Sequence, residues 1–333
     1  MQLDYSFVIP VYNRPQEIQE LLESFLKVDF SRTFEIVIVE DGSSETSQQV
    51  VDSFAERLNI SYYFKENTGP GDSRNFGMQK AKGNYFIILD SDCLIPPHYL
   101  KTVDNFLQEN YFDCYGGADA AHASFTPLQK AINYVMTSFF TTGGIRGSEK
   151  SVNKFEPRSF NMGISKVAFE ATKGFAKIHP GEDPDLSQRI LKAGLKTTFL
   201  ANAAVFHKRR ISWKKFYTQV KKFGMVRPIL CRWHPGTAKI TFWFPTLFIV
   251  FTMVSLLMAL LFHWVAILPL TGYTLLVFLD STFKNKSLPI GALTVLALFI
   301  QFFGYGMAFL RSTYYIRFLK KDPEKQFPHL FFK

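Results

Sequence analysis

At 333 residues the chain has room for one large domain or two smaller ones with a full core, and its 38 Lys and Arg against 28 Asp and Glu leave a net charge of +10. Three cysteines, Cys93, Cys114 and Cys231, are too few and too scattered for a disulfide framework or a zinc site, which suits a reducing compartment. Residues 1–206 mix charged and apolar positions, whereas residues 240–279 and 287–310 contain no Asp, Glu, Lys or Arg, which favours membrane segments over the buried core helices of a soluble protein.

The predicted elements begin with a strand in "YSFVIPVY", a helix over Glu17 to Leu26, a strand in "FEIVIVEDGS", a helix over Thr46 to Leu58 and a strand in "ISYYFKE". A helix from about Gly71 to Ala81 and the strand "NYFIILD" follow. That βαβα succession predicts an α/β fold with a largely parallel sheet and helices on both faces. Ligands of such sheets bind beyond the carboxyl ends of the strands, where Asn13, Asp41 and Asp90 fall. The stretch "GPGDSRNFG" has Arg74 where the dinucleotide fingerprint needs its third glycine, and no Gly-Lys-Ser/Thr phosphate loop exists. The sequence therefore argues against hydride transfer and ATP hydrolysis by those routes.

Asp90 and Asp92 follow the apolar run Tyr85 to Leu89 and are separated by one serine. Two carboxylates so close repel each other unless positive charge sits beside them, and a divalent cation is the usual source. Further on, "HPGEDPDL" reads equally well as a helix start, with Asp183 as N-cap and Pro184 at the first helical position, or as an acidic functional corner. A last strand, "TTFLANAAVF", runs into His207.

Lys208, Arg209, Arg210, Lys214, Lys215, Lys221 and Lys222 then crowd one stretch, with Trp213, Phe216, Tyr217, Val220 and Phe223 at helical spacing. This predicts a basic amphipathic segment over 208–239 lying on an anionic membrane surface, in preference to a nucleic-acid patch. One helix of the whole following uncharged run would reach roughly 60 Å, about twice the hydrocarbon thickness, so it should fold back near His263. Residues 240–310 are therefore expected to form membrane segments over about 241–262, 264–283 and 288–310, followed by a basic tail over 311–333. Lys284 to Lys286 and the tail's arginines and lysines cannot share one side with three full crossings, so one segment is expected to be re-entrant or interfacial. With no signal peptide ahead of Asp4, the expected address of the charged, soluble-type half is the cytosolic face of the inner membrane.

Five blocks, "SFVIPVYNRP", "EIVIVEDGSS", "NTGPGDSRNFGMQKAKGNYFIILDSD", "FNMGISKVAFEATKGF" and "GEDPDLSQRILKAGLKTTFLANAAVFH", resemble the inverting glycosyltransferases of family 2, of the membrane-anchored bacterial type, in the family's order. The resemblance implies a GT-A fold, Rossmann-like, over residues 1–207. It places Pro10, Tyr12 and Asn13 around a nucleotide base, Asp41 on uracil or ribose, and Gly71 and Arg74 against the nucleotide. By the same resemblance Asp90-Ser91-Asp92 is the family's DxD motif for Mg²⁺ or Mn²⁺, with Asp90 nearer the ribose and His207 completing the shell. Asp183, with Glu182 beside it, is the base that takes the acceptor's proton, and Asn161 and Gly163 belong to the acceptor side. The implied activity moves a sugar from a UDP- or GDP-linked donor to a glycan or lipid-linked acceptor, as in building cell-envelope polysaccharide. Polyprenyl-phosphate glycosyl transfer is the near alternative; nucleotidyl transfer and a non-catalytic membrane scaffold are more distant ones. Gln219 to Phe223 matches the Gln-x-x-Arg-Trp signature of processive synthases only loosely, which argues for single-sugar transfer.

Overall fold

The computed structural model describes residues 2–120, 125–142, 156–207 and 212–332. The chain divides into two compact units. One comprises Met1–Ala123, Glu149–Lys208 and Phe331–Lys333, and the other Ser124–Ser148 and Arg209–Leu330.

In the first unit β1 (Tyr5–Val11), α1 (Pro15–Phe25), β2 (Glu35–Asp41), α2 (Gln48–Asp52), β3 (Ile60–Lys65), α3 (Pro70–Lys80) and β4 (Tyr85–Leu89) alternate as the sequence predicts. The short β5 (Cys93–Leu94), α4 (Tyr99–Glu109) and β6 (Cys114–Ala120) follow. Two further elements, α5 (Pro127–Thr137) and α6 (Phe139–Thr142), belong to the other unit, after which β7 (Asn161–Ser165), α7 (Lys166–Thr172), α8 (Glu182–Lys192) and β8 (Thr197–His207) complete the sheet. The strand order is β3-β2-β1-β4-β7-β6-β8-β5. Pairing is parallel from β3 through β4, then antiparallel at β4–β7 and β6–β7, so half the sheet is parallel and half mixed.

Period-two alternation decides which side chains enter which layer. From β1, Phe7 and Ile9 join Ile18, Leu21 and Leu22 of α1 on one face, while Val8 joins Val39, Met78 of α3 and Leu186 of α8 on the other. Pro10 is tolerated inside β1 because the pairing of β1 with β4 has ended at Val8, leaving one edge without need of its missing N–H. The helix expected over Thr46 to Leu58 is α-helical only through Asp52; beyond it the N–H groups of Phe54, Ala55 and Arg57 bond to carbonyls three residues back, tightening the chain as Phe54 tucks into the core.

The second unit holds α9 (Trp213–Trp233), α10 (Phe244–Leu261), α11 (Leu268–Asn285) and α12 (Leu288–Thr313). Three stretches, Ile240–Leu261, Trp264–Asn285 and Leu288–Phe318, are long and apolar enough to cross a membrane. They match the three segments read from the uncharged runs, and together they fit a membrane anchor. Phe216 and Val220 of the basic segment are buried within this unit, where Gly304 of α12 lets α12 approach Val220 closely. Lys208, Arg209 and Arg210 lie outside the described residues.

Candidate active site

Strand ends, as the sequence suggests, gather the polar groups at one edge. Asn13 follows β1 with φ 52°, and its side-chain oxygen accepts from the N–H groups of Ser44 and Glu45 at 2.8 and 3.0 Å. Glu40, wholly buried, accepts from the Ser43 hydroxyl, from the Ser47 N–H at 2.8 Å and from the Tyr62 hydroxyl at 3.2 Å. These bonds fix the "DGSS" turn from two sides. Asp41 is equally engaged: its carboxylate pairs with Lys65 Nζ at 2.7 Å and accepts the N–H groups of Thr68 and Gly69 at 3.0 Å each. It thereby shapes the turn that opens α3. Of the residues expected around a nucleotide base, Tyr12 alone is left as a largely exposed ring, at 53% of its surface.

The acidic pair after β4 meets arginines. Arg74 of α3 donates from Nη2 to Asp90 at 2.8 Å, and Arg14, just ahead of α1, donates from Nη1 to Asp92 at 2.7 Å. Two guanidinium groups therefore share in offsetting the repulsion between these carboxylates. Arg74 is buried, its guanidinium 5.3 Å from the Phe175 ring, and its Nη1 reaches Glu182 at 3.3 Å. Glu182 in turn lies 2.9 Å from His179 Nδ1. A continuous chain of polar contacts, Asp90–Arg74–Glu182–His179, thus joins the end of β4 to the start of α8.

Asp183 is next to that chain but outside it. The helix N-cap is Gly181, at φ 123°, so Asp183 lies within the first turn and does not cap; the N-cap expectation is corrected because glycine alone suits that backbone. Burial would raise Glu182, yet the hydrogen bond and charge of His179, with Arg74, hold it below the usual carboxylate range. Asp183 moves the other way: burial and the negative charge of Glu182 push it up, against the opposing pull of Arg74, Arg158 and a Ser159 hydrogen bond. Its Oδ1 is buried with no hydrogen-bond partner. Asp185 takes no part, since it is ion-paired with Arg189 at 2.7 Å inside α8.

Three further expected residues are placed by their packing contacts. Asn161 is fully buried, accepting from the Tyr99 hydroxyl at 2.5 Å and donating to the Ala118 and Ala203 carbonyls, which cross-links β6, β7 and β8. Gly163 lies under the Tyr115 ring, where an added Cβ would come within 1.9 Å of a ring carbon. Both residues are held by packing within the sheet. Gly71 serves the approach of α3 to Phe175 and Ala176, which an added Cβ would meet at 3.2 to 3.3 Å. The backbone of His207 pairs with Cys93, beside Asp92, but its side chain lies outside the described residues.

Arg14, Glu40, Lys65 and His179 were not legible as site-forming residues. Each acts through a partner distant in sequence or through a turn, and only the polarity of Glu40 within an apolar strand gave a signal. Hard carboxylate oxygens at Asp90 and Asp92 suit a divalent cation, although no cluster of three ligating side chains exists among the described residues. The donor set fits such an ion provided that a ligand supplies further oxygens.

Residues 6–170 match the family model described as glycosyl transferase family 2. Through that domain the chain belongs to glycosyltransferase family 2. Among curated family members, a poly(ribitol-phosphate) β-N-acetylglucosaminyltransferase of Staphylococcus aureus is 35% identical over 114 residues, 33% of this chain and 20% of that protein. A glycosyltransferase of Streptococcus pneumoniae is 33% identical over 110 residues, 32% of this chain and 36% of that protein. The chain thus spans about a fifth to a third of the length of these relatives. Among solved structures, a mannosyltransferase of Pyrobaculum calidifontis in complex with GDP-mannose and Mn²⁺ superposes with a TM-score of 0.59 at 17% identity, over 97% of this chain and 89% of that one. It shares the GT-A fold with this family member.

Proposed function

We propose that the protein is an inverting glycosyltransferase that moves a sugar from a UDP- or GDP-linked donor to a glycan or lipid-linked acceptor at the cytosolic face of the inner membrane. One observation carries this reading: Asp183 keeps a buried, unbonded carboxylate oxygen and a raised pKa beside a Glu182 that is held ionised. A base needs both a free lone pair and an affinity for the proton, and this is the carboxylate of the corner that has them. Glu182 does the opposite work, giving its charge to Arg74 and His179 and holding the corner in place.

Asp90 and Asp92 would hold a Mg²⁺ or Mn²⁺ ion, whose chemistry when bound is to neutralise charge on a departing nucleoside diphosphate. Arg74, fixed against Asp90, adds permanent positive charge on the same side. The binding of GDP-mannose with Mn²⁺ by the Pyrobaculum enzyme supports such a donor, and the poly(ribitol-phosphate) relative supports a cell-envelope acceptor. The three apolar helices favour an acceptor presented at a membrane, and a bare polyprenyl phosphate is the second reading they support.

The test is to supply detergent-purified protein with a panel of nucleotide sugars and follow nucleoside diphosphate release with and without Mn²⁺. Metal-dependent release from one donor, increased by a sugar-bearing lipid, is the expected result. Release stimulated by bare polyprenyl phosphate instead selects the second reading, and pyrophosphate as product overturns both.

A further inference from the structure

Residues 331 and 332 belong to the sheet unit although the residues just before them belong to the other. Phe331 forms an antiparallel bridge with Ile178, and the Phe332 N–H donates to the Lys177 carbonyl at 3.0 Å. The Phe332 ring then lies 5.8 Å from the His179 imidazole, centroid to centroid. Its other neighbour is Gly69, where an added Cβ would come within 2.3 Å of two ring carbons.

These contacts matter because of what the two neighbours lead to. Gly69, at φ 95° with its N–H held by Asp41, is the N-cap of α3, the helix that carries Arg74. His179 bonds to Glu182, the residue before Asp183. The loop between Phe175 and Gly181 is tied at its start by paired hydrogen bonds between Asn75 and Phe175, at 2.7 and 2.8 Å, and at its end by the His179–Glu182 contact. Its middle, at Lys177 and Ile178, takes backbone partners from residues 331 and 332.

We propose that Phe332 is a positioning residue for sugar transfer: wedged between Gly69 and His179, its ring keeps His179 on Glu182 and so holds Asp183 in register with the Arg74–Asp90 pair. The inference rests on the transferase reading above. Without the ring, the loop retains its ends but loses the brace on the imidazole, and Glu182 gains freedom to turn from Arg74. Displacing a base by about 1 Å is enough to cost on the order of a hundredfold in rate while leaving donor contacts in place.

The test compares wild type with Phe332→Ala and Phe332→Tyr in the full chain, purified in detergent. Turnover, donor KM, nucleoside diphosphate affinity and hydrogen exchange over residues 176–183 are read for each. Phe332→Ala should lower kcat by about tenfold or more, leave donor KM and nucleotide affinity within about twofold, and speed exchange at residues 176–183; Phe332→Tyr should restore wild-type turnover and exchange. Unchanged exchange in that loop, or a loss expressed in donor KM with kcat intact, overturns the proposal. Should wild type transfer no sugar, the transferase reading falls by itself, and the exchange comparison still decides whether the ring braces the loop.

Discussion

The turns after β1 and β2 and the start of α8 are both rich in polar groups, yet they use them in opposite ways. At the turns, Asn13, Glu40 and Asp41 direct their side-chain oxygens to N–H and hydroxyl groups of the protein itself. At α8, Glu182 meets Arg74 and His179 through Oε1, but Asp183 keeps an oxygen in reserve. Residues that look alike in sequence, acids after an apolar strand or after a glycine, thus differ in whether their oxygens are bonded within the protein, as at Asp41, or not, as at Asp183 Oδ1.

Asp183→Asn gives the largest effect that could break this contrast. Loss of a general base costs about 10²–10⁴ in rate, so sugar transfer should fall by that amount while nucleoside diphosphate binding, measured by calorimetry, stays near wild type. The same variant should be the more stable protein at neutral pH. With its folded pKa raised, wild-type Asp183 holds a proton more tightly in the native state, so stability declines as pH rises from the ordinary value of about 3.9 through the raised one. Asn escapes that decline, and denaturant melts at pH 4 and pH 8 would show the gap opening with pH.

Asp41→Ala probes the other side. If Asp41 serves the turn, this substitution costs about 2–4 kcal/mol of stability, because Lys65 and two backbone N–H groups lose a buried partner. Weakened donor binding with an unchanged melting temperature would instead return Asp41 to the role of a ligand contact. Glu182→Gln should move the acid limb of the rate profile to lower pH, since it removes the neighbouring negative charge that helps to raise Asp183. An unmoved limb would separate the two acids. Arg14→Ala, at a pair whose arginine is 44% exposed, should change stability by less than about 1 kcal/mol. Its effect should be read in Mn²⁺ affinity, which rises if the guanidinium and the ion compete for Asp92.

Local pattern made much of this legible. Alternation in β1 and β2, the glycine-rich entry to α3 and the uncharged runs of the anchor each declare themselves within a dozen or two residues. Pairings between distant positions did not. Arg14 meets Asp92 across 78 residues and Arg74 meets Glu182 across 108, and nothing in either neighbourhood announces the partner. The acidic pair therefore suggested a metal alone where the fold also supplies two arginines. Asn161 shows the same limit: its three bonds to Tyr99, Ala118 and Ala203 join distant parts of the chain and leave no mark in the local sequence.

The reversal between β4 and β7 has a further consequence. Leu89 stands opposite Asn161, so the chain enters β7 at the same rim where β4 delivers Asp90. Arg158 and Ser159, which act on Asp183, come from just before that entry. Exchanges at Arg158 or Ser159 can therefore alter the surroundings of Asp183 without shifting the β1–β4 ladder.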